Sequence, residues 1–384
     1  MPISHHVFSV LTFIIHSFPN PHPPTSQPKM PPPPPPQKQK TTTIIAISGP
    51  SSSGKTTLAR LLQRIFSKLT PQTNTTSNLR TFIVHEDDFY HPDDKIPLIP
   101  HPRNPTTSIQ NWDTLSALDI PFLSAALSYI HSHGHLPPRL RSKEDLNDVA
   151  ESGVSEEVVS RMREVVRERV PGYFLDTKVN SASTSEDGDG DGVRTIVFLE
   201  GFLLFAPPKE EDPDHGLREV QEKMDVRLFL PARYDNVKER REGRSGYVTI
   251  GPAPVHQGSE GESGDSGGGT ELPQRGSVEV DLEKEDDRPP QNFWTDPPGY
   301  VDDIVWPNYV QDHAWLLLPE RDEGSAELRN ADTQELVKLV GQGVNLRMDA
   351  GVTVAPGQGE ASMTDILEWA VEEVLKHIAE TEGQ

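Results

Sequence analysis

Short apolar runs alternate with helix-type patterns along most of the 384-residue chain. Four runs, at 41–48, 81–89, 194–205 and 224–231, are rich in β-branched and aromatic residues. Continuous apolar character over such short lengths is typical of strands that are buried on both faces of a parallel sheet. The runs therefore predict the strands of an α/β fold.

Helix-type patterns fill the intervals between these runs. Residues 55–69 repeat leucine and isoleucine at spacings of three and four, and residues 113–131 are expected to form a helix in spite of Pro121. A basic helix is predicted over 232–244 and an exposed helix over 155–169. Strands that alternate with helices predict a parallel sheet with helices on both faces.

Low-complexity segments interrupt this pattern. Residues 1–40 are expected to be a disordered Pro-rich leader, because the six prolines at 31–36 favour polyproline II. Residues 41–384 are then predicted to be a single domain with disordered insertions near 133–193 and 251–292. The second insertion has ten Asp and Glu against three Lys and Arg, and this composition is typical of a solvated segment.

Composition and charge exclude several kinds of protein. The chain has no cysteine, which excludes disulfides, cysteine-ligated metal sites and a thiol nucleophile. Its net charge of −23 argues against a nucleic-acid partner. No stretch approaches the roughly 18 apolar residues that a membrane span needs. We therefore expect a cytoplasmic protein, with the nucleus as a second location, that binds neither nucleic acid nor membrane.

A glycine-rich loop follows the first predicted strand. The sequence Gly49-Pro-Ser-Ser-Ser-Gly54-Lys55-Thr56 fits the P-loop pattern, and it lies between a strand and a helix as phosphate binding requires. Backbone N–H groups of such a loop and the helix N-terminus hold phosphate oxygens, while the lysine and threonine serve the terminal phosphates and Mg²⁺. An ordinary Ser/Gly turn is the alternative. The complete pattern, with both flanking elements, favours a nucleotide-binding P-loop NTPase-type fold.

Acidic residues end two of the other predicted strands. Asp87 and Asp88 follow one apolar run, and Glu200 follows another. The carboxyl ends of parallel strands face the ligand crevice, so these acids are expected beside the phosphate loop. One acid can help to hold Mg²⁺ while another accepts a proton from an attacking hydroxyl. Helix caps or solvated turn acids are the alternative. The Asn-Lys-x-Asp sequence with which GTPases read guanine is absent, because the chain has no Asn-Lys pair.

Arginines cluster at the end of the predicted basic helix, at Arg240, Arg241 and Arg244. Guanidinium groups stabilise the charge that spreads over a phosphoryl group during its transfer. We predict a mobile arginine lid that closes over the nucleotide and excludes water. A solvated basic helix face is the alternative.

Several segments occur in the order found in nicotinamide riboside kinases, a branch of the uridine kinase-like P-loop kinases. They are GPSSSGKTTLA, HEDDFYHPDD, NWDTLSAL, LEGFLLF, VKERREGR and PPGYVDDIVWPNYV. The clear similarity spans 41–131, 195–250 and 293–318, which is 173 of the 384 residues. The P-loop is common to many families, whereas the other segments are more specific. The chain therefore resembles this kinase family.

The resemblance implies a reaction and its partners. We expect ATP-dependent phosphorylation of the 5′-hydroxyl of nicotinamide riboside, which gives nicotinamide mononucleotide in NAD salvage, with Mg²⁺ as cofactor. The acceptor is then a small nucleoside. A uridine or cytidine kinase, or a kinase of another small hydroxyl metabolite, is the alternative. A non-catalytic nucleotide-binding regulator is a further alternative.

The resemblance also assigns roles to individual residues. The catalytic residues implied are Asp87, which accepts the hydroxyl proton, with Lys55 and Arg240. The ATP-binding residues implied are Gly49, Ser51, Ser52, Ser53, Gly54, Lys55, Thr56, Thr57, Arg240 and Arg244. The substrate-binding residues implied are Asp87, Asp88, Phe89, Tyr90, Trp112, Asp113, Arg241 and Tyr247. The metal ligands implied are Thr56, Asp87 and Glu200.

The resemblance further implies that Asp113 accepts hydrogen bonds from the ribose diol and that Arg241 makes a second sugar contact. It also implies that Trp112 lies against the base. This last assignment has a physical reason, because an indole face attracts the cationic nicotinamide ring by about 0.5–2 kcal/mol. A half-buried core tryptophan is the alternative for Trp112. Two departures are visible: Glu86 stands where a neutral amide is expected, and the spacing to Tyr247 is uncertain by one residue.

Overall fold

The central sheet consists of parallel strands with helices packed on both sides. The computed structural model describes residues 42–67, 79–140, 142, 151–171, 194–250, 291–320, 328 and 330–382. The predicted leader at 1–40 and almost all of the acidic insertion lie outside the described residues.

Strands in this part of the chain are β1 (Thr42–Ser48), β2 (Leu79–His85), β3 (Leu98–His101), β4 (Asn104–Gln110), β5 (Arg194–Gly201), β6 (Val226–Phe229), β7 (Tyr247–Ile250), β8 (Gln291–Trp294) and β9 (Thr353–Val354). Helices are α1 (Lys55–Ser67), α2 (Ile120–His133), α3 (Glu156–Arg169), α4 (Arg218–Gln221), α5 (Tyr234–Glu242), α6 (Trp306–Asp312), α7 (Thr333–Val340) and α8 (Met363–Glu382). Short 3₁₀ turns occupy Glu86–Phe89, Asp93–Lys95 and Leu115–Ala117, and a π turn occupies Val301–Val305.

The strand order β2-β5-β1-β6-β9 places β2, β5 and β1 next to one another, and predicted site residues lie at or just after the carboxyl ends of these three strands. His85, at the end of β2, pairs with Glu200 of β5, and Ser48, at the end of β1, pairs with Gly201. The pairing is parallel throughout this sheet. The carboxyl ends of β1, β2 and β5 therefore meet at one edge, which is where α/β sheets bind their ligands.

Successive residues of a strand point to opposite faces of the sheet, and β1 uses both faces. Ile44 and Ala46 pack in a core with α2, α6 and α7. Ile45 and Ile47 pack in a second core with α1, α3 and α8. All four side chains are fully buried, and burial of each isoleucine stabilises the fold by about 1.5–3 kcal/mol. The predicted sheet with helices on both faces is confirmed.

Two predicted helices differ from the structure. Helix α2 begins at Ile120 and not near residue 113, because the Asp119 side chain accepts a hydrogen bond from Phe122 N and Pro121 occupies the first turn. Helix α3, predicted to be exposed, buries Val159, Met162 and Val166 against α1 and α8. Part of the predicted 133–193 insertion is therefore a packed helix of the domain.

The strands β7 and β8 form a separate antiparallel hairpin in which Tyr247 pairs with Trp294. Asp93 fixes this hairpin, because its Oδ2 accepts hydrogen bonds from Thr249 Oγ1 (2.9 Å) and Asn292 Nδ2 (2.8 Å). The hairpin thus stands beside the turn that follows β2. Among the helices described, none combines the length and the apolar character that crossing a bilayer requires.

Candidate active site

The loop between β1 and α1 has the backbone of a phosphate-binding loop. Gly49 has φ +150°, and a Cβ at this position would lie 2.3 Å from the carbonyl oxygen of Leu230, so only glycine fits. Ser52 has φ +61°, a left-handed conformation that costs a non-glycine residue about 1–3 kcal/mol. Strain of this kind is concentrated at ligand-binding loops. The glycines of the loop therefore suit its shape, whereas Ser52 is held in a conformation that its residue type does not favour.

The polar groups of this loop are prepared for an anion. The buried hydroxyls of Ser52 and Ser53 have no hydrogen-bond partner among the described residues. Lys55 Nζ donates to the carbonyl oxygen of Pro50 at 2.9 Å, which keeps the ammonium group within the loop. Burial lowers the pKa of Lys55, and the carboxylates of Glu200 and Asp87 oppose this effect. A phosphate would provide the acceptors that the two serine hydroxyls lack.

Glu200 is the carboxylate nearest to the loop. Its Oε1 accepts hydrogen bonds from Thr56 Oγ1 at 3.0 Å and from His85 Nδ1 at 2.7 Å. Burial alone would raise the pKa of Glu200, but the hydrogen bond from His85 and the charge of Lys55 lower it. Glu200 is therefore a buried carboxylate at neutral pH, and its oxygens are hard ligands of the kind that Mg²⁺ prefers.

One open cavity is lined by most of the predicted residues. Those that line it are Ser51, Ser52, Gly54, Lys55, Thr56, Thr57, Asp87, Tyr90, Trp112, Asp113, Glu200, Arg241, Arg244 and Tyr247. The phosphate loop, both predicted carboxylates and the predicted acceptor residues therefore face a common space. No group of three His, Cys, Asp or Glu residues in the described part of the chain is arranged to hold a metal ion by itself.

Five predicted residues do not line this cavity. Gly49 forms the turn of the loop, and Ser53 is buried within it. Phe89 lies in the hydrophobic core, 5.0 Å from the ring of Phe122, and Asp88 is also buried. Arg240 is exposed, and its Nη1 donates to the carbonyl oxygen of Ser52 at 3.3 Å, so it contacts the phosphate loop from outside the cavity.

Two of the predicted acceptor residues form a buried ion pair. Arg241 donates from both Nη atoms to the carboxylate of Asp113, at 2.7 and 3.0 Å. Its Nε donates to Asp296 at 2.7 Å. Burial opposes the charged form of Arg241, but these two carboxylates raise its pKa well above the usual value. Arg241 is therefore fixed in place, whereas Arg240 and Arg244 are exposed on the same segment.

Aromatic side chains complete this side of the cavity. Trp112 lies edge-on to Tyr90, with ring centres 5.4 Å apart. The ring centres of Trp112 and Trp294 are 5.7 Å apart. Trp112 belongs to a small core cluster and also lines the cavity. Its contact with a base stays a prediction. The ring of Tyr247 lies 5.4 Å from the guanidinium carbons of Arg241 and Arg244.

Glu86 departs from the family pattern, and its burial accounts for this departure. Its side chain is fully buried, and Leu203 N donates to its Oε2 at 3.0 Å. Burial, with the charge of Asp87, raises the pKa of Glu86 to about 8. The protonated acid is therefore the main form at neutral pH, and it is neutral like the amide expected at this position. Gly201 makes room for it, because a Cβ there would lie 2.3 Å from Glu86 Oε2.

Some residues of the site were not predicted from the sequence. Phe202 and Trp294 line the cavity, while His85 and Asp296 bind residues that line it. His85 had one available signal, a polar residue at the buried end of an apolar strand. Trp294 and Asp296 lie just before the PGY segment, but only the folded chain brings them to Arg241.

Comparisons with known proteins give a consistent result. No protein-family model matches the chain. The nicotinamide riboside kinase of Schizosaccharomyces pombe is 26% identical over 329 residues, which is 86% of this chain and 94% of that protein. The nicotinamide riboside kinase of Saccharomyces cerevisiae is 24% identical over 287 residues, 74% of this chain and 83% of that protein.

A third protein of the same name, from Eremothecium gossypii, is 26% identical over 271 residues, 71% of this chain and 76% of that protein. These similarities extend well beyond the P-loop segment. The resemblance to nicotinamide riboside kinases predicted from the sequence is confirmed over most of the chain.

Proposed function

We propose that this chain is an ATP-dependent kinase that phosphorylates the 5′-hydroxyl of nicotinamide riboside and so produces nicotinamide mononucleotide. Its relatives from three yeasts carry the name of that kinase. The observation that supports the proposal best is the single cavity lined by the phosphate loop, by Asp87 and Glu200, and by the Asp113–Arg241 pair. In this proposal a triphosphate binds beside the loop and a sugar binds next to it.

The donor ATP occupies the loop side of the cavity in this proposal. Backbone N–H groups of the loop and the N-terminus of α1 bind the phosphate oxygens. Lys55 turns from the Pro50 carbonyl to the β- and γ-phosphates, a movement that exchanges one oxygen acceptor for another. Arg240 and Arg244 close over the phosphates from α5 and the residues after it and exclude water.

In this proposal the oxygens of Thr56, Asp87 and Glu200 would hold Mg²⁺. This ion is commonly held by one or two carboxylates, and phosphate oxygens and water complete its coordination. When bound, the ion neutralises charge on the β- and γ-phosphate oxygens.

The acceptor occupies the other side of the cavity. Asp113 and Arg241 bind the ribose hydroxyls, since each retains lone pairs or N–H groups beyond those used in their mutual pairing. Trp112 presents its indole to the base, which in nicotinamide riboside is a cation. Attraction between a cation and an indole face contributes about 0.5–2 kcal/mol.

Asp87 acts as the general base of the transfer. It accepts the proton of the 5′-hydroxyl while that oxygen attacks the γ-phosphorus. The new O–P bond forms as the bond from the γ-phosphorus to the β–γ bridging oxygen breaks, and ADP leaves with that electron pair. Lys55 and the lid arginines stabilise the negative charge on the transferring group.

The decisive experiment compares acceptors. Purified protein is incubated with Mg-ATP and either nicotinamide riboside, uridine or cytidine, and the products are identified by mass spectrometry. We expect nicotinamide mononucleotide as the main product. Uridine or cytidine monophosphate in its place would support the pyrimidine nucleoside kinase alternative. Tight ATP binding without phosphorylation of any acceptor would support a regulator. The cytoplasmic or nuclear location and the absence of nucleic-acid partners stay predictions.

A further inference from the structure

Asp296 lies behind the acceptor side of the cavity, in the loop that follows β8. It does not line the cavity; it lines an adjoining cleft together with Arg241 and Tyr247. Its side chain is only 11% exposed. A carboxylate that is this deeply buried needs donors, and Asp296 has donors from two directions.

The first donor is the sugar-binding arginine of the proposed site. Arg241 Nε donates to Asp296 Oδ2 at 2.7 Å, and Arg241 Nη2 lies 3.4 Å from Oδ1. The other edge of the same guanidinium pairs with Asp113. A planar guanidinium held at two edges by two carboxylates keeps one orientation. Asp296 therefore sets the angle at which Arg241 meets Asp113.

The second donor belongs to the aromatic wall. Trp294 Nε1 donates to Asp296 Oδ1 at 2.9 Å. Trp294 lines the cavity, and its ring centre lies 5.7 Å from that of Trp112. Its backbone pairs with that of Tyr247 between strands β7 and β8. An indole has one hydrogen-bond donor and no acceptor, so this bond fixes the rotation of the ring.

We propose that Asp296 is a positioning residue which couples recognition of the acceptor's ribose to recognition of its base, because one carboxylate holds both Arg241 and Trp294. The inference rests on the proposed function. It goes beyond that function, since it assigns to Asp296 and Trp294 a part in acceptor selection.

The test uses steady-state kinetics of the full chain. Asp296→Asn keeps an acceptor oxygen for Trp294 but removes the charge that holds Arg241. We expect the KM for nicotinamide riboside to rise about tenfold, with the KM for ATP changed less than about twofold and a smaller fall in kcat. The preference for nicotinamide riboside over uridine should fall as well. A merely structural role would change stability without this separation of the two KM values.

Asp303→Asn is the matched control. Asp303 also accepts a hydrogen bond from an arginine, Arg103 Nη2 at 3.2 Å, but it does not line the cavity. We expect both of its KM values to stay near those of the wild type. If the two variants give the same acceptor KM, the proposal is overturned.

Trp294→Phe tests the coupling without touching the buried charge. It removes the indole N–H and keeps an aromatic ring, and we expect an acceptor KM about three- to fivefold higher. With Asp296→Asn in the same chain the two effects should not multiply, because both act through the side chain at position 296. An unchanged acceptor KM in Trp294→Phe, or full multiplication in the double variant, would overturn the proposal. The single variant Trp294→Phe suffices if Asp296→Asn does not fold.

The proposed function and the role of Asp296 can be overturned separately. A wild-type protein that does not phosphorylate nicotinamide riboside overturns the proposed function, and this inference with it. A wild-type protein that is active, beside an Asp296→Asn variant with unchanged kinetics, overturns only the role of Asp296.

Discussion

The hydroxyl of Thr56 donates a 3.0 Å hydrogen bond to Oε1 of Glu200, across 144 residues of sequence. This contact joins the first turn of α1 to the end of β5. It is produced by the sheet order, because β1 and β5 are neighbours with Ser48 paired to Gly201. Two hard oxygen groups thereby stand together next to the phosphate loop.

Glu200→Gln should weaken the apparent affinity for Mg²⁺. The amide can still accept hydrogen bonds from Thr56 and His85, but it carries no charge to attract a divalent cation. We expect the Mg²⁺ concentration for half-maximal activity to rise about tenfold, with a lower maximal rate. Titration of activity with MgCl₂ measures this. Glu219→Gln, at an exposed position of α4, is the control and should follow the wild-type curve.

Asp87→Asn should separate binding from turnover. Loss of the general base lowers kcat by about 10²–10⁴-fold, because the hydroxyl no longer has an acceptor for its proton. ATP binding, measured by calorimetry, should stay within a few-fold of wild type. Asp94→Asn removes a carboxylate from an exposed site nearby and should leave both properties unchanged. An Asp87→Asn variant with full turnover would show that another group is the base.

Trp112 should contribute to the choice of base. Removal of the indole face in Trp112→Ala is expected to lower kcat/KM for nicotinamide riboside about 2- to 30-fold relative to uridine, which corresponds to the strength of a cation–π contact. Trp112→Phe should retain part of this preference. Trp369→Phe, on α8 and packed in the second core, serves as control for loss of a tryptophan. Equal losses for both nucleosides would contradict a role in base recognition.

Glu86 should make stability depend on pH. Its pKa is about 8 in the folded chain against 4.5 as the ordinary value, so between these pH values the unfolded chain releases a proton that the folded chain retains. Stability from this group is therefore full below about pH 4.5 and is lost as the pH rises towards 8.

Glu86→Gln has no proton to release and can still accept the hydrogen bond from Leu203 N. Thermal unfolding followed at pH 5 and at pH 8 measures the difference. We expect the melting temperature of the variant, relative to wild type, to be higher at pH 8 than at pH 5. A constant difference between the two proteins at both pH values would contradict a buried neutral acid.

Local sequence determined the elements of this protein and its phosphate loop. The apolar runs predicted the sheet strands because a strand buried on both faces has no polar positions. The P-loop could be recognised from the sequence alone because its glycines, lysine and threonine lie in one short segment of the chain. Where a local signal competed with another, the prediction failed: Pro121 and the Asp119 cap moved the start of α2 to Ile120.

Only the tertiary structure decided how the predicted acceptor residues are held together. Asp113, Arg241 and Asp296 are far apart in sequence, and their hydrogen bonds have no sequence pattern. The same holds for the neutral state of Glu86, which follows from complete burial and not from its residue type. Pattern and propensity act between neighbours along the chain. Desolvation and buried charge pairing depend on which distant segments the fold brings together.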